Sequence, residues 1–531
     1  MSDENLSAAD NQSPSLVKSS ALVGSLTMVS RVLGLLRDIV IASVFGAGSS
    51  SDAFFVAFKV PNFLRRLFAE GAFSQAFVPV LADYKNQGSV AAVRQLLDRV
   101  AGVLGGTLLF LTIFAIAAAP AVTALFAPGF VSQPDKFALT ADMMRVTFPY
   151  LMLISMTGFC GAILNSYGRF AVPAFTPVLL NLSLISAALV AAPWFDQPVF
   201  ALAWGVLFAG IIQLLFQLPA LYRLDLVPRP RWDTKDTGVR RILKLMVPAL
   251  FGVSVAQINL LFDTVLASFL PTGSVSWLYY SDRLAELPLG VFGIAIATVI
   301  LPTLSAHSSA DRPEHFSHTV DWALRSVLLV GVPAAGALIL LAQPIITTLF
   351  HYGELTANDV SMASLSLCAY GLGIVGFMLV KVLAPGFYAH KDMRTPVKIG
   401  VIAMASNMVM NLLFVLPLLF IWNIGHVGLA LATSCAAYLN AGLLWRGLRR
   451  AEFYRPEAGW PMFWCRVFAA TAAMVGVLAW LAPPAAEWLT WGWQRRTWEI
   501  IQLCVTGAIS YVLVHLVAGT RWRDLKAPAM G

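Results

Sequence analysis

The segment from Ser30 to Pro79 places charged side chains inside two stretches that are otherwise apolar. The charged residues are Arg31, Arg37, Asp38, Asp52, Lys59, Arg65, Arg66 and Glu70. On a helix, Arg31 and Asp38 share one face, while Asp52, Lys59 and Arg66 recur at every seventh residue. The charges therefore form stripes rather than isolated interruptions.

These stripes predict a polar surface inside a membrane protein. A charge at the centre of a bilayer costs about 2.5–3.5 kcal/mol, so such residues are expected to face a protein interior or a water-filled cavity. Lys and Arg outnumber Asp and Glu here, and Arg65 and Arg66 are adjacent. That excess favours a cavity for an anionic ligand. The alternative is a set of buried ion pairs that hold helices in register.

The chain around this segment has the composition of an all-α polytopic membrane protein. Of its 531 residues, 58% are hydrophobic and 12% are charged, whereas soluble domains carry about 25% charged residues. We predict 14 transmembrane helices from apolar runs of about 20 or more residues. Their approximate cores are 22–45, 53–79, 97–126, 140–164, 173–193, 199–221, 243–269, 276–303, 320–349, 361–386, 397–420, 426–446, 461–482 and 499–519.

The distribution of basic residues predicts the orientation of these helices. Lys and Arg cluster in the even-numbered connections, and the exceptions are Lys136 and the Arg495/Arg496 pair. Because cytoplasmic loops carry the excess of Lys and Arg, both termini are expected in the cytoplasm. Orientation also explains the net charge of +8, so no nucleic-acid partner is predicted.

The N-terminal residues and the cysteines predict no further site. Residues 1–19 are predicted to be a disordered tail, which lacks the basic region and cleavage site of a signal peptide. The first apolar segment is therefore expected to stay in the mature protein. The cysteines fall within apolar spans without CxxC spacing, which predicts reduced packing residues. They are Cys160, Cys368, Cys435, Cys465 and Cys504.

An internal repeat predicts the domain organisation. The fourteen residues from Asp38 to Ser51 align without gaps with those from Asp263 to Ser276, and seven positions are identical at an offset of 225. This spacing spans six helices, so the two copies are expected to be parallel lobes. The predicted ranges are 1–19 (tail), 20–222 (first lobe), 223–242 (basic cytoplasmic linker), 243–456 (second lobe) and 457–531 (two further helices and a tail).

Two repeated lobes are a transporter plan in which the substrate is held near the membrane midplane. The second copy carries its own charged residues in span eight, Asp282, Arg283 and Glu286. They are predicted to act with those of the first copy.

Four motifs of this chain resemble those of the MurJ (MviN) lipid II flippases of bacterial cell-wall synthesis. They are SRVLGLLRD, GAGSSSDAFFVAFKVPNFLRRLFAEGAFSQAFVP, GSVSWLYYSDRLAELPLGV and KVLAPGFYAHKDMRTPVKI. The resemblance runs from about Ser20 to the last helix. It implies the fold of the multidrug/oligosaccharidyl-lipid/polysaccharide exporter superfamily, with two six-helix lobes in a V around a central cavity and two C-terminal helices that bind a polyprenyl tail.

The resemblance also implies the substrate, the location and the roles of residues. Lipid II would move from the cytoplasmic to the periplasmic leaflet of the bacterial inner membrane by alternating access, and the cell-wall synthesis machinery is an expected partner. Arginine suits a pyrophosphate because its planar fork grips phosphate oxygens. The implied headgroup contacts are Arg31, Arg37, Arg65, Arg66 and Arg283. The implied gating or charge-pairing residues are Asp38, Asp52, Lys59, Glu70, Asp282 and Glu286, with Asp52 pairing across the lobes and Glu70 and Glu286 holding arginines.

A sodium ion is a further prediction, for the second lobe. Asp263, Asn407, Asn411 and Thr433 offer only oxygen ligands, which hard cations prefer, and some relatives carry such a site between the corresponding helices. The alternative is that the two asparagines only hydrogen-bond between helices.

Three other functions remain as alternatives. A multidrug or other lipid-linked oligosaccharide exporter would share the fold, but a cavity for cations should be lined by carboxylates. A polyprenyl-linked glycosyltransferase would need catalytic carboxylates on a larger extracytoplasmic loop than the sequence offers. A scaffold has no use for duplicated lobes with charged stripes. The chain shows no P-loop, HExxH or triad spacing, so it is predicted to be a transporter and not an enzyme.

Overall fold

The computed structural model describes residues 13–66, 73–290, 294–310 and 312–519, and within these ranges every regular element is a helix. The predicted all-α fold is confirmed. The chain divides into two units, Met1–Phe269 and Leu270–Gly531, which are described separately.

The first unit contains ten α-helices, joined by short 3-10, π-helical and irregular segments. They are α1 (Ser13–Phe45), α2 (Ser49–Arg65), α3 (Ser74–Asn86), α4 (Val90–Ala117), α5 (Ala119–Phe126), α6 (Pro134–Thr147), α7 (Pro149–Ser166), α8 (Ala171–Ser186), α9 (Phe200–Arg223) and α10 (Thr237–Ser268). An aromatic and aliphatic core that includes Phe77, Phe159 and Ile242 joins α3, α4, α7, α9 and α10.

The second unit contains the remaining α-helices. They are α11 (Ser274–Pro288), α12 (Ile294–Ser309), α13 (Pro313–Leu340), α14 (Ala342–Phe350), α15 (Ala357–Ala389), α16 (Arg394–Trp422), α17 (Gly425–Arg450), α18 (Trp460–Leu481), α19 (Ala485–Thr490) and α20 (Trp493–Val517). The fully buried Trp488 packs with Leu341, Leu478 and Leu503, so α19 is part of the core that joins α13 and α14 to α18 and α20.

Side-chain caps start several of these helices. The side chain of Ser89 accepts the N–H of Ala92 at the start of α4, and Asp236 accepts the N–H of Val239 at the start of α10. Thr356 and Asp359 form a reciprocal capping box at α15. Each cap satisfies a backbone donor that the first helical turn leaves without a partner.

The two units share a break in the third span of each copy. Ala118 separates α4 from α5 with φ −92° and ψ 16°, and Leu341 separates α13 from α14 with φ −96° and ψ 12°. A proline follows within the first turns of the next helix, at Pro120 and Pro344, where it cannot donate to the preceding turn. The repeat read from the sequence is thus also visible in local backbone geometry.

Ten helical segments within the described residues are long and apolar enough to cross a membrane. They correspond to every predicted span except one, two, seven and eight, which carry the charged stripes and the repeated motif. Helices α2 and α11 have only 17 and 15 residues. The count of 14 spans stays a prediction.

The predicted domain ranges also stay predictions. Helix α1 begins at Ser13, inside the predicted tail, and residues 1–12 and 520–531 lie outside the described residues. The division between the two units falls after Phe269, so α10 groups by contacts with the first unit, whereas the repeat assigns this helix to the second lobe.

Candidate functional site

Arg37 and Asp38 form a buried ion pair in α1. The Arg37 Nη2 and Nε atoms lie 2.6 and 2.9 Å from Asp38 Oδ1, and the two side chains are 5% and 1% exposed. Arg37 Nη1 donates to Asn181 Oδ1 of α8 at 3.0 Å, and Asn181 Nδ2 donates to the carbonyl oxygen of Ser30 at 3.0 Å. The sequence analysis predicted Arg37 as a headgroup contact and Asp38 as a charge-pairing residue. The structure joins these two residues in one ion pair.

Arg31 lies on the same helix but is exposed. Arg37 follows it at an offset of six positions, which places the two side chains far apart around the helix axis. The sequence analysis predicted the same role, headgroup contact, for both arginines. In the structure Arg31 is exposed and Arg37 is buried.

Asp52 forms a second buried ion pair, with Lys136 of α6. The Lys136 Nζ–Asp52 Oδ2 distance is 2.9 Å, and the side chains are 2% and 1% exposed. The ammonium also lies 4.2 Å from the centroid of the Phe130 ring. Lys136 was an exception to the charge asymmetry of the connections, and its burial explains why. The predicted pairing of Asp52 across the lobes stays a prediction, since Lys136 belongs to the same unit as Asp52.

The remaining charges of the first stripe follow along α2. Lys59 and Arg65 are half-buried, and Arg65 Nε donates to Asn62 Oδ1 at 3.2 Å. Arg66 is exposed at the end of the helix. Glu70 lies outside the described residues.

Arg283 of α11 is the predicted headgroup contact in the second unit, and it is partly accessible. Its Nη1 atom lies 3.2 Å from Glu286 Oε2, and the two side chains are 35% and 53% exposed. The guanidinium carbon lies 5.9 Å from the centroid of the Tyr279 ring, and the neighbouring Asp282 is half-buried. Compared with the Arg37–Asp38 pair, the Arg283–Glu286 pair lies close to solvent.

The residues predicted to bind sodium are divided between the units. Asp263 is half-buried in α10 of the first unit. In the second unit Asn407 and Asn411 are 1% and 0% exposed on α16, and Thr433 Oγ1 donates to the carbonyl oxygen of Leu429 at 3.0 Å.

Arg496 of α20 is a buried cation that the sequence analysis passed over. It is 4% exposed, and its guanidinium donates to the carbonyl oxygens of Trp488, Leu489, Thr347 and His351 at 2.8–3.2 Å. Its Nη2 atom also lies 3.2 Å from His351 Nδ1. Burial and then the Arg496 charge lower the pKa of His351. Arg496 was the other exception to the charge asymmetry, and that exception was the signal.

Asp321 of α13 is a second residue that the sequence analysis missed. It is 1% exposed and accepts the Tyr454 hydroxyl at 2.6 Å, the Trp460 Nε1–H at 2.9 Å and the Arg325 Nε–H at 2.7 Å. Burial and then the hydrogen bond to Asp321 raise the pKa of Tyr454. Because Trp460 opens α18, this carboxylate fixes the start of that helix on α13.

The charged residues thus fall into two chemical groups. Arg37, Lys136 and Arg496 are enclosed and already hydrogen-bonded, whereas Arg31, Arg66 and Arg283 present guanidinium groups to solvent to differing degrees. Only the second group can meet an anionic ligand without first breaking buried hydrogen bonds.

Comparisons with known proteins bear on this arrangement. Residues 41–492 match the family model described as "Lipid II flippase MurJ". The "Probable lipid II flippase MurJ" of Vibrio cholerae serotype O1 is 49% identical over 519 residues, which cover 96% of this chain and 98% of the relative.

Solved structures agree with the sequence comparison. "Lipid II flippase MurJ, inward closed conformation" matches with a TM-score of 0.79 and 26% identity, covering 95% of this chain and 99% of the other. An inward-facing multidrug resistance MATE transporter of the MOP superfamily matches with a TM-score of 0.66 and 16% identity, covering 82% and 98% of the two chains. At that identity the second likeness concerns the fold alone.

Proposed function

This chain belongs to the lipid II flippase MurJ family, and from that premise we propose that it moves lipid II from the cytoplasmic to the periplasmic leaflet by alternating access. It is a multi-pass membrane transporter of this family and not a catalytic enzyme. The multidrug alternative is not favoured, because the relatives that match at high identity are flippases.

The proposed headgroup contacts are Arg31, Arg65, Arg66 and Arg283, together with Arg37. The observation that carries this assignment is the Arg283–Glu286 pair, in which a charged donor is 35% exposed and lies 3.2 Å from a carboxylate that is itself 53% exposed. A phosphate oxygen can replace that carboxylate while the guanidinium keeps a charge-assisted hydrogen bond. Glu286 then holds the arginine in place between substrates.

Arg37 has a different part in this proposal. Its donors are already bonded to Asp38 and Asn181, and it is 4% exposed. A pyrophosphate would have to displace a buried carboxylate to reach it. Arg37 therefore meets the substrate after Arg283 in the cycle, in a state where α1 and α8 have moved apart.

Arg283→Ala tests the headgroup assignment. We expect lipid II binding to the purified protein to fall at least tenfold, because a charge-assisted contact in a desolvated site is worth about 2–5 kcal/mol when one partner is removed. Arg283→Lys should restore binding only in part, since the ammonium lacks the planar fork. Growth complementation provides a second readout.

The matched control is Arg455→Ala, because Arg455 forms an exposed pair with Glu452 at the same spacing of three residues and the same 3.2 Å. It should bind lipid II as the unsubstituted protein does. The discriminating variant is Arg283→Ala combined with Glu286→Ala. If this double variant regains binding and growth, Arg283 only neutralises Glu286 and is not a substrate contact.

The proposed orientation places both termini in the cytoplasm of a bacterial inner membrane. Ser50, Gln87 and Asn358 are all exposed, so each can be replaced by cysteine in a background without native cysteines. An impermeant thiol reagent added to intact cells should label positions 50 and 358 and spare position 87. The reverse pattern would invert the topology.

Sodium binding also stands as a proposal. Its support is the burial of the Asn407 and Asn411 carboxamides one turn apart on α16, together with the intramembrane carboxylate Asp263. Sodium should raise the unfolding temperature, and Asp263→Ala should remove that increase. Equal stability in sodium and potassium would refute the proposal. Contact with the cell-wall synthesis machinery is likewise a proposal, supported by the substrate.

A further inference from the structure

The linker between α9 and α10 is fastened to α4 by contacts that use all of its acidic side chains. Asp225 pairs with Arg94, and Asp233 and Asp236 pair with Arg99. Asp236 also caps α10. The linker's carboxylates are therefore all paired with arginines of α4, and its own basic side chains are exposed.

Three of those basic residues surround an exposed tryptophan. Arg229, Arg231 and Lys235 are exposed, and their side chains form no ion pair with the part of the chain that the structure describes. Trp232 lies among them and is 63% exposed. A tryptophan flanked by cations is the composition of a membrane-interface anchor.

The path of the linker brings this tryptophan toward the exposed apolar surface of α4. The N–H of Arg229 donates to Asp98 Oδ1 at 2.6 Å, and the N–H of Arg231 donates to the carbonyl oxygen of Asp98 at 2.9 Å. One turn further along α4, a Cβ on Gly102 would overlap the Arg231 backbone, and one turn beyond that a Cβ on Gly106 would overlap the Trp232 ring.

The chain then turns back, because Asp233 and Asp236 return to Arg99. Residues 229–236 thus form a loop with Trp232 at its tip. Gly106 is seven residues past Arg99, which is about 10 Å along the helix. The same face of α4 continues with Phe110 and Phe114, which are 69% and 61% exposed.

The backbone of residues 228–231, which lead to Trp232, is suited to a position near lipid. Pro228 and Pro230 have no N–H, and the N–H groups of Arg229 and Arg231 are both hydrogen-bonded to Asp98. Irregular backbone is tolerated near lipid only where its polar groups are satisfied. Two prolines and one aspartate therefore leave no N–H of residues 228–231 without a partner.

We propose that the loop 229–236 is a binding site for anionic phospholipid headgroups, with Arg229, Arg231 and Lys235 contacting the phosphates and Trp232 inserted at the level of the glycerol backbone. Charge complementarity selects an anionic over a zwitterionic lipid, and the apolar face below Trp232 selects a lipid surface over an acidic protein. The site is separate from the proposed headgroup contacts of the transport cycle, so its failure would leave the flippase assignment intact.

Phosphatidylglycerol titrated into the full-length protein in neutral detergent tests this proposal. It should raise the unfolding temperature, whereas phosphatidylcholine should not. The triple variant R229Q/R231Q/K235Q should bind phosphatidylglycerol about 100-fold more weakly, because each cation near an anionic surface contributes about fivefold. The variant R229K/R231K keeps the charge and should keep the response.

The matched control is R446Q/R449Q/R450Q, which removes three exposed arginines from the end of α17. It should respond as the unsubstituted protein does. An equal loss in both triple variants would mean that only net charge matters and would overturn the site. Normal phosphatidylglycerol binding by R229Q/R231Q/K235Q together with failure to support growth would also overturn it, in favour of an acidic protein partner.

A pair of glycine variants tests the tip without changing charge. Gly106→Ala displaces the Trp232 ring, whereas a Cβ on Gly105 meets only Met156 Sδ at 3.8 Å. Gly106→Ala should therefore weaken the phosphatidylglycerol response severalfold, and Gly105→Ala should leave it unchanged. Identical responses from the two variants would overturn the role of Trp232.

Discussion

The first turns of α2 and α11 occupy the same place in the two copies of the repeat. In the first unit this turn supplies the hydrogen-bond acceptor to a neighbouring helix, whereas in the second unit it supplies the donor. In the first unit Asp52 of α2 accepts the ammonium of Lys136 of α6 at 2.9 Å. In the second unit Trp277 of α11 donates its Nε1–H to Asp359 of α15 at 2.8 Å. Trp277 is the counterpart of Asp52 at the repeat offset of 225.

A second contact joins the same helices in each unit. Thr147 Oγ1 of α6 donates to the carbonyl oxygen of Ala57 at 3.0 Å, and Ser281 Oγ of α11 donates to the carbonyl oxygen of Ala363 at 2.7 Å. The position of the connection is thus kept while its donors and acceptors are exchanged. Burial demands a complementary pair and does not specify which helix carries the charge.

This comparison bears on transport because three of the proposed headgroup contacts lie on α2 or at its end (Arg65 and Arg66) and on α11 (Arg283). Each helix is fixed at its first turn, and Arg65 and Arg66 on α2 or Arg283 and Glu286 on α11 lie further along it. Such a helix can move its arginines by bending between the fixed first turn and the charged residues. Pro61 lies within α2 between Asp52 and Arg65, and helices bend readily at proline.

Lys136→Met should have the largest effect on the comparison. It removes the ammonium from a carboxylate that is 1% exposed, and breaking a buried pair costs about 3–5 kcal/mol in the free energy of unfolding. Unfolding in lipid–detergent mixed micelles measures the loss. Asp52→Asn combined with Lys136→Met should recover most of it, because no charge is left buried.

The control for this variant is Arg145→Met, whose pair with Asp142 is about half exposed. Such surface pairs contribute less than about 1 kcal/mol. If Lys136→Met costs no more than this control, the first-turn connection of the first unit is not held by its ion pair.

Trp277→Phe should have an intermediate effect. The ring stays, but the hydrogen bond to Asp359 Oδ1 is lost, at about 1.5–3 kcal/mol for a bond to a charged group. Asp359 Oδ2 keeps the Thr356 N–H and Oγ1–H, at 2.9 and 2.7 Å. Trp480→Phe is the matched control, since Trp480 is 83% exposed. A loss as large as that of Lys136→Met would show that the two connections are energetically equivalent after all.

Gly273→Ala should have the smallest effect, and it sharpens the comparison at the turn itself. Gly273 has φ 98°, where a side chain costs about 1 kcal/mol or slightly more, whereas its counterpart Gly48 has φ −137° and no atom within 4 Å of an added Cβ. Gly48→Ala should leave the unfolding temperature unchanged. Equal effects of the two substitutions would mean that backbone conformation does not distinguish the copies.

The sequence predicted the features that depend on local composition. The lengths of the apolar runs predicted the helices, and the alternation of basic residues between connections predicted a topology that can be tested. The motif from Asp38 to Ser51 predicted the duplication, because a second copy lies 225 residues later. Two of the three exceptions to the charge asymmetry were also informative, because Lys136 and Arg496 are buried in the structure, whereas Arg495 is exposed.

The partners of these residues could not be predicted in the same way. Asn181 is 144 residues from Arg37 along the chain, and Lys136 is 84 residues from Asp52, so no local pattern connects them. Trp460 and Tyr454 contact Asp321 from more than 130 residues away along the chain. This aspartate joins α13 to the start of α18 and to the irregular segment before it only after those segments have packed together.

The sequence by itself determined that this chain is a helical membrane transporter with duplicated lobes and cationic stripes, because lipid imposes length, hydrophobicity and charge asymmetry residue by residue. Tertiary structure alone decided which cations are enclosed and which remain accessible. That distinction separates Arg37 from Arg283, and it depends on which neighbouring helix supplies a carboxylate, an amide or open space. Such neighbours are set by packing between segments that are distant along the chain. The hydrophobic pattern of one helix does not specify which other helix packs against it.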